Sequence, residues 1–336
     1  MARHIFFAVS AACLASALVA CGGGSSSAVV PDTSLTVEER IDAATSTANN
    51  NARCALSVLG SFYWEIGDGA GVLAAGRVGP GAPNASTTMR VYSASKWLYA
   101  ASVVQKHADF TADVPYLNFT SGYSNFGNAP VCIGDTVDEC LLGRDQVDAA
   151  TRGRFAYDSG HMQVHAANVM QFGHFDNAAL TSDLSGTLGI AGLRYWLQQP
   201  ASGVEATPDA YGAFLRRLIN GSLRLGPQLG AHKVCAQASA SGCNAAFTPD
   251  SIGSEQWQYA LGHWVEDDPA VGDHAFSSAG GGGFYPWIDA GRRYYGILAR
   301  EVVAESAAGY HSAACGRLIR QAWLTGVAVT ATSPTP

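Results

Sequence analysis

The chain has 336 residues, of which 48% are apolar and 14% charged, a balance that lets it bury a sizeable core. Its formal net charge of −7 is spread along the sequence without a basic patch, which argues against nucleic acid as a partner. Beyond the N-terminal segment there is no run of about 20 apolar residues, so the reading contains no membrane-spanning helix.

Residues 1–20 combine a short basic start with an apolar run and read as an export signal. The "LVAC" ending at Cys21 is similar to a bacterial lipobox, in which that cysteine is lipidated and becomes the first mature residue; an ordinary secretory cleavage nearby is the alternative. Gly22 after it would send such a lipoprotein to the outer membrane. Residues 21–34 form a Gly/Ser-rich tether. The folded domain is expected over 35–333, an exported unit held to the cell envelope by the lipid at Cys21 or free in the periplasm or outside the cell.

"SLTVEERIDAATSTANN" (34–50) opens with a Ser/Thr cap and first-turn glutamates and predicts a helix. Two β-rich runs around "GDG" (56–79) predict a hairpin, and "YSASKWLYAASVVQKH" (92–107) a helix. From about 116 to 245 the chain is loop-rich, with helices expected at 160–172 and 208–220. Strands follow in "QWQYALGHWVEDD", "HAFSSAGGGGFYPWIDAG" and "RRYYGILAREV", and a helix closes the domain in "GYHSAACGRLIRQAWLTG". This order predicts an α/β (α+β) fold: a sheet assembled from about 35–115 and 246–333, flanked by helices, with 116–245 inserted as a helical lobe.

Six cysteines remain once Cys13 and Cys21 are set aside. Cys132/Cys140 and Cys235/Cys243 share one short spacing, so two local staples plus Cys54–Cys315 is the economical arrangement, although spacing alone does not determine pairing. Export favours disulfides over zinc, and no Cys-x-x-Cys is present.

"YSASK" (92–96) fits two signatures. Read from Tyr92 it is the Tyr-x-x-x-Lys of short-chain dehydrogenases. That chemistry needs a nucleotide-binding half before the tyrosine, and the Gly-rich "GDGAGVLAAG" sits in a hairpin pattern instead of a strand-to-helix turn. Read from Ser93 it is Ser-x-x-Lys, which places Ser93 and Lys96 on one helical face. A lysine buried there loses proton affinity and can activate the hydroxyl. Alone the tetrapeptide is weak, because a capped surface helix with a solvated lysine looks the same.

Later segments add to it. "YLNFTSGYSNF" (116–126), "GRFAYDSGHMQVHAANVM" (153–170) and "HAFSSAGGGGFYPWIDAG" (274–291) follow in order, and with them the chain resembles the β-lactamase-related serine hydrolases. That group includes class C β-lactamases, D-alanyl-D-alanine peptidases, family VIII-type esterases and 6-aminohexanoate-dimer hydrolases. The resemblance spans about 55–325. It implies Ser93 as nucleophile, Lys96 as the group sharing its proton, and Tyr157, as tyrosinate or phenol, as the proton relay. It further implies an oxyanion hole from the N–H groups of Ser93 and a residue near Gly281, with Ser159 orienting Lys96 or touching substrate. Ser278, Gly280 and Tyr123 join Ser159 and Gly281 as expected substrate contacts. No metal or organic cofactor is implied.

The departures from the pattern matter. Ser278-Ala279-Gly280 stands where lactamases and peptidases carry Lys-Thr-Gly, so the cation that binds a substrate carboxylate is missing there. Ser159 replaces the usual Asn, and no Glu-x-x-Leu-Asn segment exists. The expectation is therefore a hydrolase of neutral carboxylic esters or linear amides, short polyester or polyamide oligomers included. A D,D-peptidase or β-lactamase, and a catalytically silent envelope lipoprotein, stay open. His161 and His165 have zincin spacing, but Met162 stands where the general base belongs. No Gly-x-Ser-x-Gly elbow is present. Trp257, Tyr259, Trp264, Phe284, Tyr285 and Trp287 are core candidates, one or two of which would line an acyl pocket.

Overall fold

The computed structural model describes Met1 and residues 31–249, 252–303, 305 and 307–331. The export signal, Cys21 and most of the tether lie outside the described residues. We label helices α1 (Val37–Asn50), α2 (Ser95–Lys106), α3 (Asn177–Leu188), α4 (Pro208–Ile219) and α5 (Ala308–Thr325), and strands β1 (Phe62–Gly67), β2 (Val72–Val78), β3 (Val234–Cys235), β4 (Gln258–Ala260), β5 (His263–Val265), β6 (Phe276–Ser277), β7 (Tyr285–Ile288) and β8 (Tyr295–Ala299).

Helix α1 starts at Thr36, whose hydroxyl accepts from Glu39 N while the Glu39 carboxylate accepts from Thr36 N at 2.7 Å. This capping box satisfies two of the donors that a helix start leaves open. The β1–β2 hairpin turns at Asp68, whose side chain accepts from Ala70 N and Gly71 N. Helix α2 is buried continuously from Ser95 to Val104, so it lies inside the protein with no solvent face.

The eight strands form one antiparallel sheet in the order β2-β1-β8-β7-β6-β5-β4-β3. The first hairpin thus pairs with the last strand, Tyr63 opposite Ala299, and the sheet is closed by both ends of the domain. Because strand side chains alternate, Tyr285 and Leu298 face α5 at Gly316, while Tyr295 faces α4 at Gly212. Helix α1 packs on α5, where the buried Arg40 donates to Trp323 O at 2.7 Å.

The stretch expected as an inserted helical lobe, about 116–245, does not stand apart from the sheet at its C-terminal end. Helix α4 packs on β7 and β8, and β3 is an edge strand of the sheet. The apolar faces of these late elements need a partner, and the sheet is the apolar surface within reach. Among the described residues three bridges cross-link the chain: Cys54–Cys315, Cys132–Cys140 and Cys235–Cys243. The six aromatics read as core candidates are all buried, at 2% exposure or less.

Candidate active site

Ser93 sits in the single turn Tyr92–Ala94 that leads into α2. Near the start of a helical segment its N–H lacks an intrahelical acceptor and is free for a ligand. The residue before it, Tyr92, has φ +47°, a conformation that costs a non-glycine residue about 1 kcal/mol or more. Its ring lies against Gly282, where a Cβ would collide with it.

One turn along, Lys96 is 1% exposed. Its Nζ donates to Ser93 Oγ at 2.9 Å and to Ala201 O at 3.1 Å. Burial pulls its pKa down to about 7, and the Asp158 charge pushes the other way. Burial outweighs that attraction, because removing an ammonium from water costs more than one screened carboxylate returns. At neutral pH a large share of Lys96 is therefore the free amine.

Tyr157 follows the short strand Phe155–Ala156, which pairs in parallel with Ala245–Phe247. Its ring stacks on Trp264 at 5.4 Å, Phe119 meets it edge-on, and Lys96 Nζ lies 4.9 Å above it. Burial raises the phenol pKa and the interaction with the Ser93 side chain only partly offsets it, so the side chain is a neutral phenol near pH 7. The tyrosinate alternative is thereby disfavoured.

The third segment runs along the other side of Ser93. Ser278 Oγ donates to Ser93 O at 3.3 Å and is not part of the cleft lining. Gly280 N donates to Phe284 O, and a Cβ at Gly280 would run into Val91 O. Glycine is thus needed for the strand and the turn carrying Ser93 to approach each other. Gly281 lines the cleft together with Ser93 and Tyr157, and a side chain there would meet open space.

Besides Ser278 and Gly280, which are absent from the cleft lining, two more expected substrate contacts lie elsewhere. Ser159 is fully buried, and its hydroxyl donates to Asn128 Oδ1 at 3.1 Å; the second acceptor for Lys96 is the Ala201 carbonyl instead. Tyr123 stacks on Tyr116 and is not part of the cleft lining, because the turn at Gly122 directs it toward that neighbour. His161 and His165 are engaged separately. His161 bonds Ser121 Oγ and Ala156 O, and His165 bonds Tyr99 OH and Asp113.

The cleft has a volume of about 660 Å³, within the usual range for a small-molecule site. Sequence reasoning missed several of its walls. Asn128 lines it while donating to Tyr157 O at 2.8 Å. Arg90 and Trp196 form another wall, with the guanidinium 4.0 Å from the ring centroid. Arg90 was within view, three residues before Ser93, whereas Asn128 and Trp196 arrive through tertiary folding and left no local signal.

No family model matches the chain, and no curated protein matches it. Solved structures do. EstCE1, a hydrolase with promiscuous acyltransferase activity, is 11% identical with a TM-score of 0.60, covering 85% of this chain and 98% of that one. A penicillin-binding protein homolog from Caulobacter crescentus is 14% identical with a TM-score of 0.58, covering 88% and 98%. The fold is β-lactamase-like. D-amino acid amidase from Ochrobactrum anthropi SV3 shares it too, at 12% identity and a TM-score of 0.57 over 85% of this chain and 98% of that one. Across this β-lactamase-like fold the chain runs nearly the full length of its neighbours. The cleft with Ser93 and Lys96 lies where helix α2 meets the segment after β6.

Proposed function

We propose that the protein is a serine hydrolase that cleaves carboxylic esters or linear amides through an acyl-Ser93 intermediate. The observation that carries this reading is the buried Lys96 amine 2.9 Å from Ser93 Oγ, with its pKa held near 7. The neutral amine takes the Ser93 proton as Oγ attacks the substrate carbonyl. The N–H groups of Ser93 and Gly281 receive the developing oxyanion. The Tyr157 phenol, which lines the cleft with Ser93, relays the proton to the departing alcohol or amine, and in the second half water retraces the path to release the acid. Neighbours described as a hydrolase and an amidase support the reaction class. Soluble ester or amide oligomers fit the same chemistry.

We further propose that the protein is exported and tethered by a lipid at Cys21. The three disulfides are consistent with an oxidising compartment, and among the described residues no helix is long and apolar enough to cross a membrane.

The direct test is hydrolysis of p-nitrophenyl butyrate by the soluble domain, wild type against Ser93→Ala. Turnover by wild type and its loss by at least about a thousandfold in the variant is the expected result. Equal rates would place the nucleophile elsewhere. Acylation of Ser93 by penicillin without ester turnover would move the protein to the peptidase or lactamase side.

A further inference from the structure

Ser278-Ala279-Gly280 carries no cation where Lys-Thr-Gly would, yet the cleft lining holds another cation, Arg90. Arg90 ends the short strand Met89–Arg90, which pairs with Val204–Ala206, and that strand pairs in turn with Arg194–Tyr195. In register, Arg90 and Arg194 both face Glu205. One carboxylate thus lies between two guanidiniums, and it is closely paired to Arg194 while Arg90 Nε stands 4.0 Å away. Of the two guanidiniums, Arg90, at the cleft, is thus the less tightly paired with Glu205.

Glu301 is the next acid: it accepts from Arg90 N at 3.2 Å, a bond to the backbone and not to the guanidinium. Glu305, the acidic residue of the lining, is held by Arg300 at 3.1 Å and His311 at 2.6 Å. The Trp196 ring packs against the guanidinium and limits its movement, while the Arg90 side chain keeps 42% exposure. A planar cation so held, with N–H groups left over, has the geometry for a carboxylate.

We propose that Arg90, seated on Trp196, is a specificity-determining residue that binds a carboxylate carried by the substrate away from its scissile bond. The inference rests on the hydrolase reading above. The favoured substrates are then half-esters or half-amides of diacids, or esters and amides with a free carboxyl end, such as linear oligomers with an acid terminus.

The test compares three esters: mono-p-nitrophenyl adipate, with the carboxylate on the acyl side; 4-carboxyphenyl hexanoate, with it on the leaving side; and neutral p-nitrophenyl hexanoate. Wild type should prefer one of the two anionic esters in kcat/KM, and 0.5 M salt should reduce that preference. Arg90→Gln should cut the ratio of anionic to neutral kcat/KM about tenfold or more, mainly through KM, and Arg90→Lys should restore part of it. A preference that survives in Arg90→Gln, or no preference in wild type, overturns the proposal. If wild type turns over none of the three, the hydrolase reading fails by itself. Calorimetry with adipate then decides the anion site: binding lost in Arg90→Gln upholds it, and no binding to wild type overturns it.

Discussion

At the scale of single residues, the proposed mechanism depends on one proton. Lys96 must be the neutral amine to accept from Ser93, and burial brings its pKa from 10.5 to about 7. The protonated form dominates below that value, so kcat/KM should rise with pH through about 7 and level off above it. Asp158 acts against burial by raising the Lys96 pKa. Removing its charge in Asp158→Asn should therefore move the acidic limb to lower pH. Because Gly127 N bonds Oδ2 and Gly160 N bonds Oδ1, the amide oxygen of Asn keeps one of these two bonds and its NH2 faces the other, so the profile is read well below the variant's own Tm. A limb that stays in place or moves up would show that Lys96 is not the titrating base. The Ser93–Lys96 contact was legible in the sequence because an i,i+3 spacing fixes a shared helical face without reference to the rest of the fold. Ser159 and Tyr123 were legible as positions but not as contacts. Adjacent loop residues send side chains in directions that only the packed neighbours Asn128 and Tyr116 decide. Arg90 shows the converse: its neighbour Ser93 drew attention, but its importance comes from Glu205 and Trp196, more than 100 positions away.

At the scale of elements, the segment carrying Tyr157 is held from both sides by short pieces of chain, each next to a disulfide. Tyr157 N donates to Phe247 O at 3.2 Å, and Phe155 N donates to Asn244 O at 3.1 Å. These acceptors begin one residue after Cys243, which is bridged to Cys235 at the edge of the sheet. On the other side Asn128 donates to Tyr157 O at 2.8 Å, four residues before Cys132, which is bridged to Cys140. The staples therefore limit how far the phenol can drift from Ser93. Replacing Cys235 and Cys243 by serine, or Cys132 and Cys140, should lower kcat roughly 10- to 100-fold with a smaller change in KM, the pattern of a displaced catalytic group. Steady-state kinetics well below each variant's Tm would check this. An unchanged kcat beside a lowered Tm would make the staples purely structural. The cysteine spacing was plain in the sequence, but this link to Tyr157 was not. The parallel pair of Phe155–Ala156 with Ala245–Phe247 is too short for periodicity to register, and its two strands are far apart in the chain.

At the scale of the whole molecule, the beginning and end of the domain are joined in three ways. Strand β1 pairs with β8, α1 packs on α5 with Arg40 capping the Trp323 carbonyl, and Cys54 is bridged to Cys315 across 261 positions. The β-rich runs and amphipathic helices at the two ends made this α/β layer readable, since long periodic segments announce both their type and their buried face. The middle was harder: α4 was readable as a helix at 208–220, but its allegiance to the sheet, like that of the two-residue β3, depends on surfaces made elsewhere. The Cys54–Cys315 bridge acts chiefly on the unfolded chain, in which it closes a very long loop. Replacing both cysteines by serine should cost about 3–5 kcal/mol, read as a lower urea midpoint and, because the unfolded chain then expands, a larger m-value. The bridge lies between the turn Ala52–Cys54 and α5, away from the cleft lining. The loss should therefore appear in stability with kcat retained, opposite to the pattern expected for the two local staples. A variant as stable as wild type would mean that the β1–β8 pairing and the α1–α5 contact alone hold the two ends together. The chain-entropy account of this bridge would then be wrong.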